Sequence, residues 1–513
     1  MYKEKSVPFY LAYFKEDLRA SIVVFLVAVP LCLGIALASG APLFSGLIAG
    51  IIGGVVVSWL SGSQLSVAGP AAGLAVIVLG AIETLGSFSA FLLSVVIAGV
   101  LQVAMGYMRA GTIGAFFPSS VIKGMLAGIG LILIIKQVPH ALGYDINFEG
   151  DESYMQEGAA ASMQAFWDAF GAFLPQITFL GIVSLIILII WERESLKRFR
   201  LVRSVPAPLV VVVLGILFTA VTSAFFPQWR IEGTHLVSIP QVEHFDELGR
   251  LFIVPDFTAW QNPQVYIIAV TLAIIASIET LLSLEAVDKL DPLKRIAPTN
   301  RELKAQGVGN FLSGLVGGLP ITSVIVRSSV NVYNGGRTKL SSFLHGIWLI
   351  LSILVLAPYL NMIPLASLAA ILIFVGYKLA SPSLFRTLYM QGMDQLLPFV
   401  ITIVAILLTD LLQGIAIGII AGLFFVIRNN FRAAISMKRE GDHYTITLHK
   451  DVTFLNKALL RKLFSQIEEG SVVTIDGSRA QFIDHDILET IEDFTVTASA
   501  QNITVHKELF VKI

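Results

Sequence analysis

Apolar runs of about twenty residues recur from Leu18 to Arg428, parted by short polar loops, and a run of that length matches the hydrocarbon thickness of a bilayer. Backbone N–H and C=O groups in lipid must be satisfied within the protein, so runs this long read as membrane-spanning helices. Uniform runs cover 18–39, 43–61, 87–108, 118–138, 172–191, 206–226, 265–286, 341–360, 362–380, 395–412 and 413–428. Less uniform ones cover 64–85, 305–318 and 320–334, which makes fourteen segments. Composition agrees: 55% of the 513 residues are hydrophobic and 14% charged, against about 25% charged in a soluble domain. A net charge of −1 gives no footprint for a nucleic-acid partner. The single cysteine, Cys32, excludes an internal disulfide and a thiolate metal cluster. No H-E-x-x-H, G-x-S-x-G or Walker A pattern occurs, so neither an enzyme nor ATP-driven pumping is expected.

Charge is unevenly spread. Residues 441–513 hold 7 basic and 11 acidic side chains among 73, twice the charge density of the preceding 440 residues. The expected organisation is a lead-in over 1–17, a transmembrane domain over 18–430 and a small soluble domain over 440–513. Arg193, Lys197, Arg198, Arg200 and Arg203 crowd one loop, and Lys289, Lys294, Arg295, Arg301 and Lys304 another. Lys378 and Arg386 follow the twelfth segment; Arg428, Arg432, Lys438 and Arg439 follow the last. Residues 140–171 contain no Lys or Arg, and 227–264 are net acidic. With the N-terminus inside and fourteen crossings, every basic loop is cytoplasmic and both others are external, as the positive-inside rule requires. Both termini are then cytoplasmic in a multi-pass protein of the bacterial inner-membrane type.

The halves echo one another. Pro70 and Pro320 lie 250 residues apart, each at the opening of the third segment of its half. Seven segments per half is odd, so the halves have opposite orientation. Broken helices at matching places in inverted repeats mark a binding site near the midplane, although Gly-Pro pairs also serve merely as kinks.

Several motifs add to this: Pro30, Ser66-Val67-Ala68-Gly69-Pro70, Ser277-Ile278-Glu279-Thr280-Leu281-Leu282, Gly317-Gly318-Leu319-Pro320, Arg327 and Asn334-Gly335-Gly336-Arg337-Thr338. In these the sequence resembles the SulP family of anion transporters, over essentially its whole length. The resemblance implies an all-α polytopic membrane protein of two inverted seven-segment repeats, divided into core and gate domains, with a small C-terminal α/β STAS domain. It implies sulfate, bicarbonate, chloride or dicarboxylate as cargo, and a homodimer. The tail fits: His443–Leu448 alternates like a strand, 457–468 reads as an amphipathic helix, and Val472–Asp476 as a buried strand. Asp476-Gly477-Ser478 followed by Ile483-Asp484 resembles the STAS loop signature. In related anti-anti-sigma proteins the corresponding serine is a phosphorylation site, which makes Ser478 a regulatory candidate; a plain turn and helix cap is the simpler reading.

An anion in a low-dielectric site needs positive potential, which helix N-termini supply through partial charge and free N–H groups. The third segment offers the Ser66 hydroxyl and the backbone of Ala68, Gly69, Ala71 and Ala72; the tenth offers Thr322, Ser323 and Val324. Family members often carry a hydroxyl where Ala68 stands. Arg327 is the one basic residue deep in the tenth segment, and an intramembrane Arg is functional by default; the family places a basic residue here beside the anion. Glu279, mid-way along the eighth segment, needs a proton or a cation to be neutral there. In sodium-coupled bicarbonate carriers of the family an Asp at this place helps bind sodium, with a hydroxyl one turn on, here Ser283. Glu279 is thus a candidate sodium or proton site, and no other cofactor is expected. Glu83, Lys123, Lys136 and Asp410 read as interfacial, snorkelling or paired groups, and His345 as a packed histidine.

The leading reading is a secondary active transporter of a small inorganic anion, bicarbonate or sulfate, coupled to sodium or protons, with the eighth-segment acid and hydroxyl favouring bicarbonate. The alternatives are a channel or sensor on the same fold, a proton-coupled dicarboxylate transporter, and a nucleobase permease, the last disfavoured by Arg327 and the tail.

Overall fold

The computed structural model describes residues 12–112, 118–144, 166–171, 173–193, 195–198, 205–231, 233–239, 252–409 and 411–508. Asp410, Arg200 and Arg203, most of 140–171 and most of the lead-in lie outside the described residues. The segments appear in order as α1 (Phe14–Ala38), α2 (Leu43–Leu60), α3 (Ala72–Leu85), α4 (Phe88–Tyr107), α5 (Ser119–Leu142), α6 (Pro175–Trp191) and α7 (Ala207–Phe225). The second half follows as α8 (Pro263–Leu290), α9 (Thr299–Leu315), α10 (Ile325–Tyr333), α11 (Leu340–Leu360) and α12 (Leu365–Leu379), then, after a short α13 (Pro382–Gln391), α14 (Met393–Leu408) and α15 (Leu411–Ala433). Eight of the described helices are long and apolar enough to cross a membrane.

Two segments differ from their sequence reading. The third is not helical from residue 64: it enters as a strand, β1 (Ala68–Pro70), before α3. The tenth likewise begins with β2 (Ile321–Ser323) before α10. The strands pair antiparallel, Ala68 with Ser323, Gly69 with Thr322 and Pro70 with Ile321. Non-helical backbone is tolerated at membrane depth only where protein satisfies it; the two strands do part of this for each other, and side chains of the neighbouring helices do the rest. Matching β1 to β2 and α3 to α10 gives an offset of 253 residues rather than the 250 that separate Pro70 from Pro320. The two prolines are therefore not equivalent: Pro70 ends its strand, whereas Pro320 precedes one.

Helix packing obeys the same seven-segment shift. The α4–α9 contact has its counterpart in α11–α2, α8–α4 in α1–α11, and α5 packs on its own counterpart α12. Small residues permit the close approaches. A Cβ on Gly99 would lie 2.4 Å from the Phe311 amide nitrogen, one on Gly54 2.6 Å from Gly346 Cα, and one on Gly130 2.6 Å from the Gly376 carbonyl. Within α2, Gly53–Val57 forms a π-helical turn against β1, where a Cβ on Gly53 would be 2.4 Å from the Ala68 carbonyl oxygen.

The first helix also begins earlier than expected, and Asp17, read as part of the lead-in, is fully buried within it. Its carboxylate accepts from the Arg337 amide at 2.7 Å, the Thr338 amide at 3.0 Å and the Thr338 hydroxyl, pinning the Gly335-Gly336 turn between α10 and α11.

Contacts group Tyr389–Pro398 with Ile417–Ile513 as a second unit, apart from Met1–Leu388 with Phe399–Ala416. The second unit contains β3 (Ile435–Glu440), β4 (His443–Val452), α16 (Lys457–Phe464), β5 (Val472–Ile483), α17 (His485–Ala500) and β6 (Thr504–Glu508). The sheet order is β3-β4-β5-β6; β3–β4 is antiparallel, and the other two pairings are parallel with α16 and α17 as crossovers. Tyr444, Ile446 and Leu448 alternate into its core with Val473 and Ile475, and Phe464 stacks on Phe494 at 3.9 Å. The helix expected over 457–468 stops at Phe464, and the strand expected to end at Asp476 runs on to Ile483.

Asp17→Ala leaves three buried donors without an acceptor and should lower stability by about 1–3 kcal/mol. Thermal unfolding in detergent checks this, with Asp17→Asn, which keeps one acceptor oxygen, expected to fall between the two.

Candidate functional site

The ribbon of β1 and β2 organises the site. Because the strands are antiparallel, α3 leaves from the Pro70 end and α10 from the Ser323 end, so their N-termini flank three residue pairs, about 10 Å of strand. Neither N-terminus has a side-chain cap: Ala71 and Val324 hold the N-cap positions. The first-turn amides of a buried helix need a partner from somewhere.

The expected residues meet here, with changed roles. Ser66 and Ser323 hydroxyls bond one another. Ala68 and Gly69 belong to the β1 strand rather than to a helix terminus. Val324, expected to offer its amide, instead donates it to the Val67 carbonyl at 3.0 Å. The Ser323 amide goes to Thr280 Oγ1 at 3.2 Å, and the Val67 amide to Ser328 Oγ at 2.9 Å. That leaves Thr322 with a buried, unpartnered hydroxyl and the N-termini of α3 and α10 without a side-chain cap, the Leu74 amide turning back to the Ala71 carbonyl at 3.1 Å.

Arg327 is fully buried and donates from Nη2 to the Pro70 carbonyl at 3.0 Å; its Nε and Nη1 have no partner. The guanidinium lies over Gly69, where a Cβ would stand 2.2 Å from Nη1. Among the described residues no carboxylate forms an ion pair with it. Cys32 and His345, both fully buried, complete the apolar side of the cluster, and neither ring nitrogen of His345 is bonded.

Glu279 stands against the first turn of α3: a Cβ on Gly73 would lie 2.6 Å from its Oε1. It is only partly accessible. Ser283, expected as its companion, is buried one turn on in α8, with no hydrogen bond joining the two. Glu279 makes no ion pair among the described residues. Glu83 and Lys136 do pair, at 3.7 Å. Ser478 is exposed within β5, not in the loop or helix cap expected; its amide and hydroxyl bond Asp476 and hold that carboxyl below the usual carboxylate range.

Residues 14–403, three quarters of the chain, match the sulfate permease family. The chain belongs to that family. YvdB of Bacillus subtilis is 28% identical over 472 residues, which is 92% of this chain and 83% of the relative. Among solved structures, the transmembrane domain of a cyanobacterial bicarbonate transporter, BicA, is 25% identical with a TM-score of 0.64, covering 80% of this chain and 97% of that one. The murine anion transporter Slc26a9 in its inward-facing state has a TM-score of 0.74 at 18% identity, covering 99% of this chain and 86% of that one. This second likeness concerns the fold. The two half-helices expected from the sequence begin at Ala72 and Ile325. Sequence reasoning gave no role to Thr280, quoted only as part of a motif, and did not single out Ser328, although both hydroxyls accept backbone amides of the ribbon.

Gly69 and Gly80 make a sharp pair. A methyl at Gly80 meets nothing within 4 Å, whereas one at Gly69 collides with the guanidinium. Gly69→Ala should cost about 1–3 kcal/mol by overpacking, and Gly80→Ala should be neutral or stabilising by up to about 1 kcal/mol. Comparative thermal unfolding measures both.

Proposed function

We propose that the protein is a secondary active transporter of a small inorganic anion, bicarbonate or sulfate, that moves a core set of helices against a gate set. One observation carries this reading: a fully buried Arg327 with two unpartnered N–H-bearing nitrogens beside two uncapped helix N-termini. Burying a charge costs several kcal/mol unless a counter-charge answers it. An anion at the ribbon answers all of these donors at once, held by the first-turn amides of α3 and α10, the Thr322 hydroxyl and the Arg327 field. Its weak hold by partial charges suits release on the other side.

Glu279 supplies the second half. A cation or proton there neutralises a carboxyl that no described protein group balances, and the pair of bound ions then crosses as a near-neutral unit. Bicarbonate is favoured over sulfate because one unit of negative charge matches one unit of co-transported positive charge, and the likeness to the BicA transmembrane domain points the same way. Helices α1–α4 with α8–α11 act as the core and α5–α7 with α12, α14 and α15 as the gate. The positive-inside pattern supports an inner-membrane protein with both termini in the cytoplasm. The sheet and helices after Ile435 act as a STAS domain that assists assembly of a homodimer, with exposed Ser478 as its modification site.

Uptake of labelled bicarbonate and sulfate into proteoliposomes, with and without a sodium gradient and across pH, tests this. A transporter gives saturable, cation-dependent uptake; a channel gives uncoupled conductance. Arg327→Ala should reduce uptake at least about a hundredfold, roughly 2.7 kcal/mol, in a protein that still elutes as folded. Glu279→Gln should abolish cation dependence together with most of the rate. Deleting 441–513 should leave insertion intact and lower uptake without abolishing it.

A further inference from the structure

Gln102, Ser277 and Asn310, to which no role has been given so far, form one hydrogen-bonded chain through the first unit. Gln102 on α4 donates from Nε2 to Ser277 Oγ on α8 at 3.2 Å. Asn310 on α9 donates from Nδ2 to Gln102 Oε1 at 2.6 Å and to the Ile321 carbonyl at 3.1 Å. Its Oδ1 accepts from the Ile321 amide at 2.5 Å. Gln102 is 0% exposed, and Ser277 and Asn310 2% each.

An amide side chain that takes both the N–H and the C=O of one residue stands in for a neighbouring strand. Ile321 needs such a substitute, because hydrogen-bonded pairs alternate along an antiparallel ribbon: Val324 bonds Val67 across it, so the Ile321 backbone, at the Pro70 pair, faces away from β1. Asn310 therefore fixes the first residue of β2, and Gln102 fixes which way the Asn310 amide points. The last residue of β2 is fixed separately, by the bond from the Ser323 amide to Thr280 Oγ1. Ser277 and Thr280 are one turn apart on α8, with Glu279 between them. Both ends of β2 are thus tied to the single turn of α8 that carries Glu279, one end directly and the other through Gln102 and Asn310.

A buried polar chain of this kind is costly if any member loses its partner, and apolar packing would join the same helices without that exposure. What it adds is fixed register between α8 and β2. We infer that Ser277, Gln102 and Asn310 are positioning residues that transmit cation occupancy at Glu279 to the anion site. Neutralising Glu279 changes where α8 sits most favourably; both anchors of β2 move with it, and so do the Thr322 hydroxyl and the start of α10. This inference rests on the cation-coupled reading above.

Coupling of this sort is reciprocal: the cation tightens the anion by the same factor as the anion tightens the cation, commonly about 5–150-fold. The factor is read as the ratio of anion KM without and with the coupling cation, sodium or protons, in proteoliposomes of the full chain, using labelled bicarbonate and sulfate as probes. Ser277→Ala is the mild variant, removing the far end of the chain while leaving Asn310 on Ile321. Gln102→Met is the severe one. Ser94→Ala, at a buried hydroxyl on α4 that has no partner, is the control.

The expected result is a factor of about fivefold or more in the wild type and the control, falling toward one in Gln102→Met and part-way in Ser277→Ala, while anion KM at saturating cation changes less than about twofold. A wild-type factor that survives unchanged in Ser277→Ala and in any Gln102→Met protein that folds overturns the inference and leaves the transport reading standing. Should Gln102→Met not fold, an unchanged factor in Ser277→Ala alone is enough to overturn it. A wild-type factor of one overturns the coupled-transport reading itself, and the inference with it.

Discussion

Three residue pairs between β1 and β2 hold the site together. In hydrocarbon an unpaired strand is untenable, since each free N–H or C=O costs several kcal/mol. Each half of the chain breaks its third helix, and each break is made tolerable by the other half, which breaks at the equivalent place and lies antiparallel to it, and by the side chains of Thr280, Asn310 and Ser328. The inverted repeat is therefore a requirement of the site: two half-helices with the same orientation could pair only as a parallel ribbon, with their positive ends on one side. The helix contacts related by the seven-segment shift, with glycines at the crossings α4–α9, α2–α11 and α5–α12, are the frame that keeps the ribbon at depth.

Around the ribbon the electrostatics are left open on purpose. Arg327 leans on β1 over Gly69 and Glu279 on the first turn of α3 over Gly73, four residues apart, yet they form no ion pair. A structural pair would have collapsed together, because a buried salt bridge is the cheapest way to hold two opposite charges in low dielectric. Kept apart, neither is balanced by another protein charge among the described residues. Glu83 and Lys136 show the contrasting case of opposite charges that do meet.

Much of this was legible in the sequence, because the bilayer reduces the fold to a search for apolar runs. The order of the segments followed from run length alone, and the broken segments from Gly and Pro interrupting them. The details that escaped share a cause. A three-residue strand has no periodicity to detect, so β1 and β2 read as irregular helix, and the proline spacing of 250 suggested an equivalence that the strands place at 253. Asp17 looked like part of a solvated lead-in, since nothing local announces that its acceptor serves the Thr338 turn more than three hundred residues away. Val324 was offered as a free donor because its partner, Val67, belongs to the other repeat. Asp476-Gly477-Ser478 resembled a loop because Asp and Gly favour turns, but β4 pairs alongside and keeps it in strand with a register shift.

The most direct test is to locate the anion. Selenate, a sulfate mimic with an anomalous signal, can be bound to the full chain and its selenium position determined. The account predicts a single strong peak within about 4–5 Å of the first-turn amide nitrogens of α3 and α10, outer oxygens at hydrogen-bond distance, with the Arg327 guanidinium adjacent. A peak elsewhere, with those amides capped by protein groups or water and Arg327 bonded to a carboxylate, would contradict it.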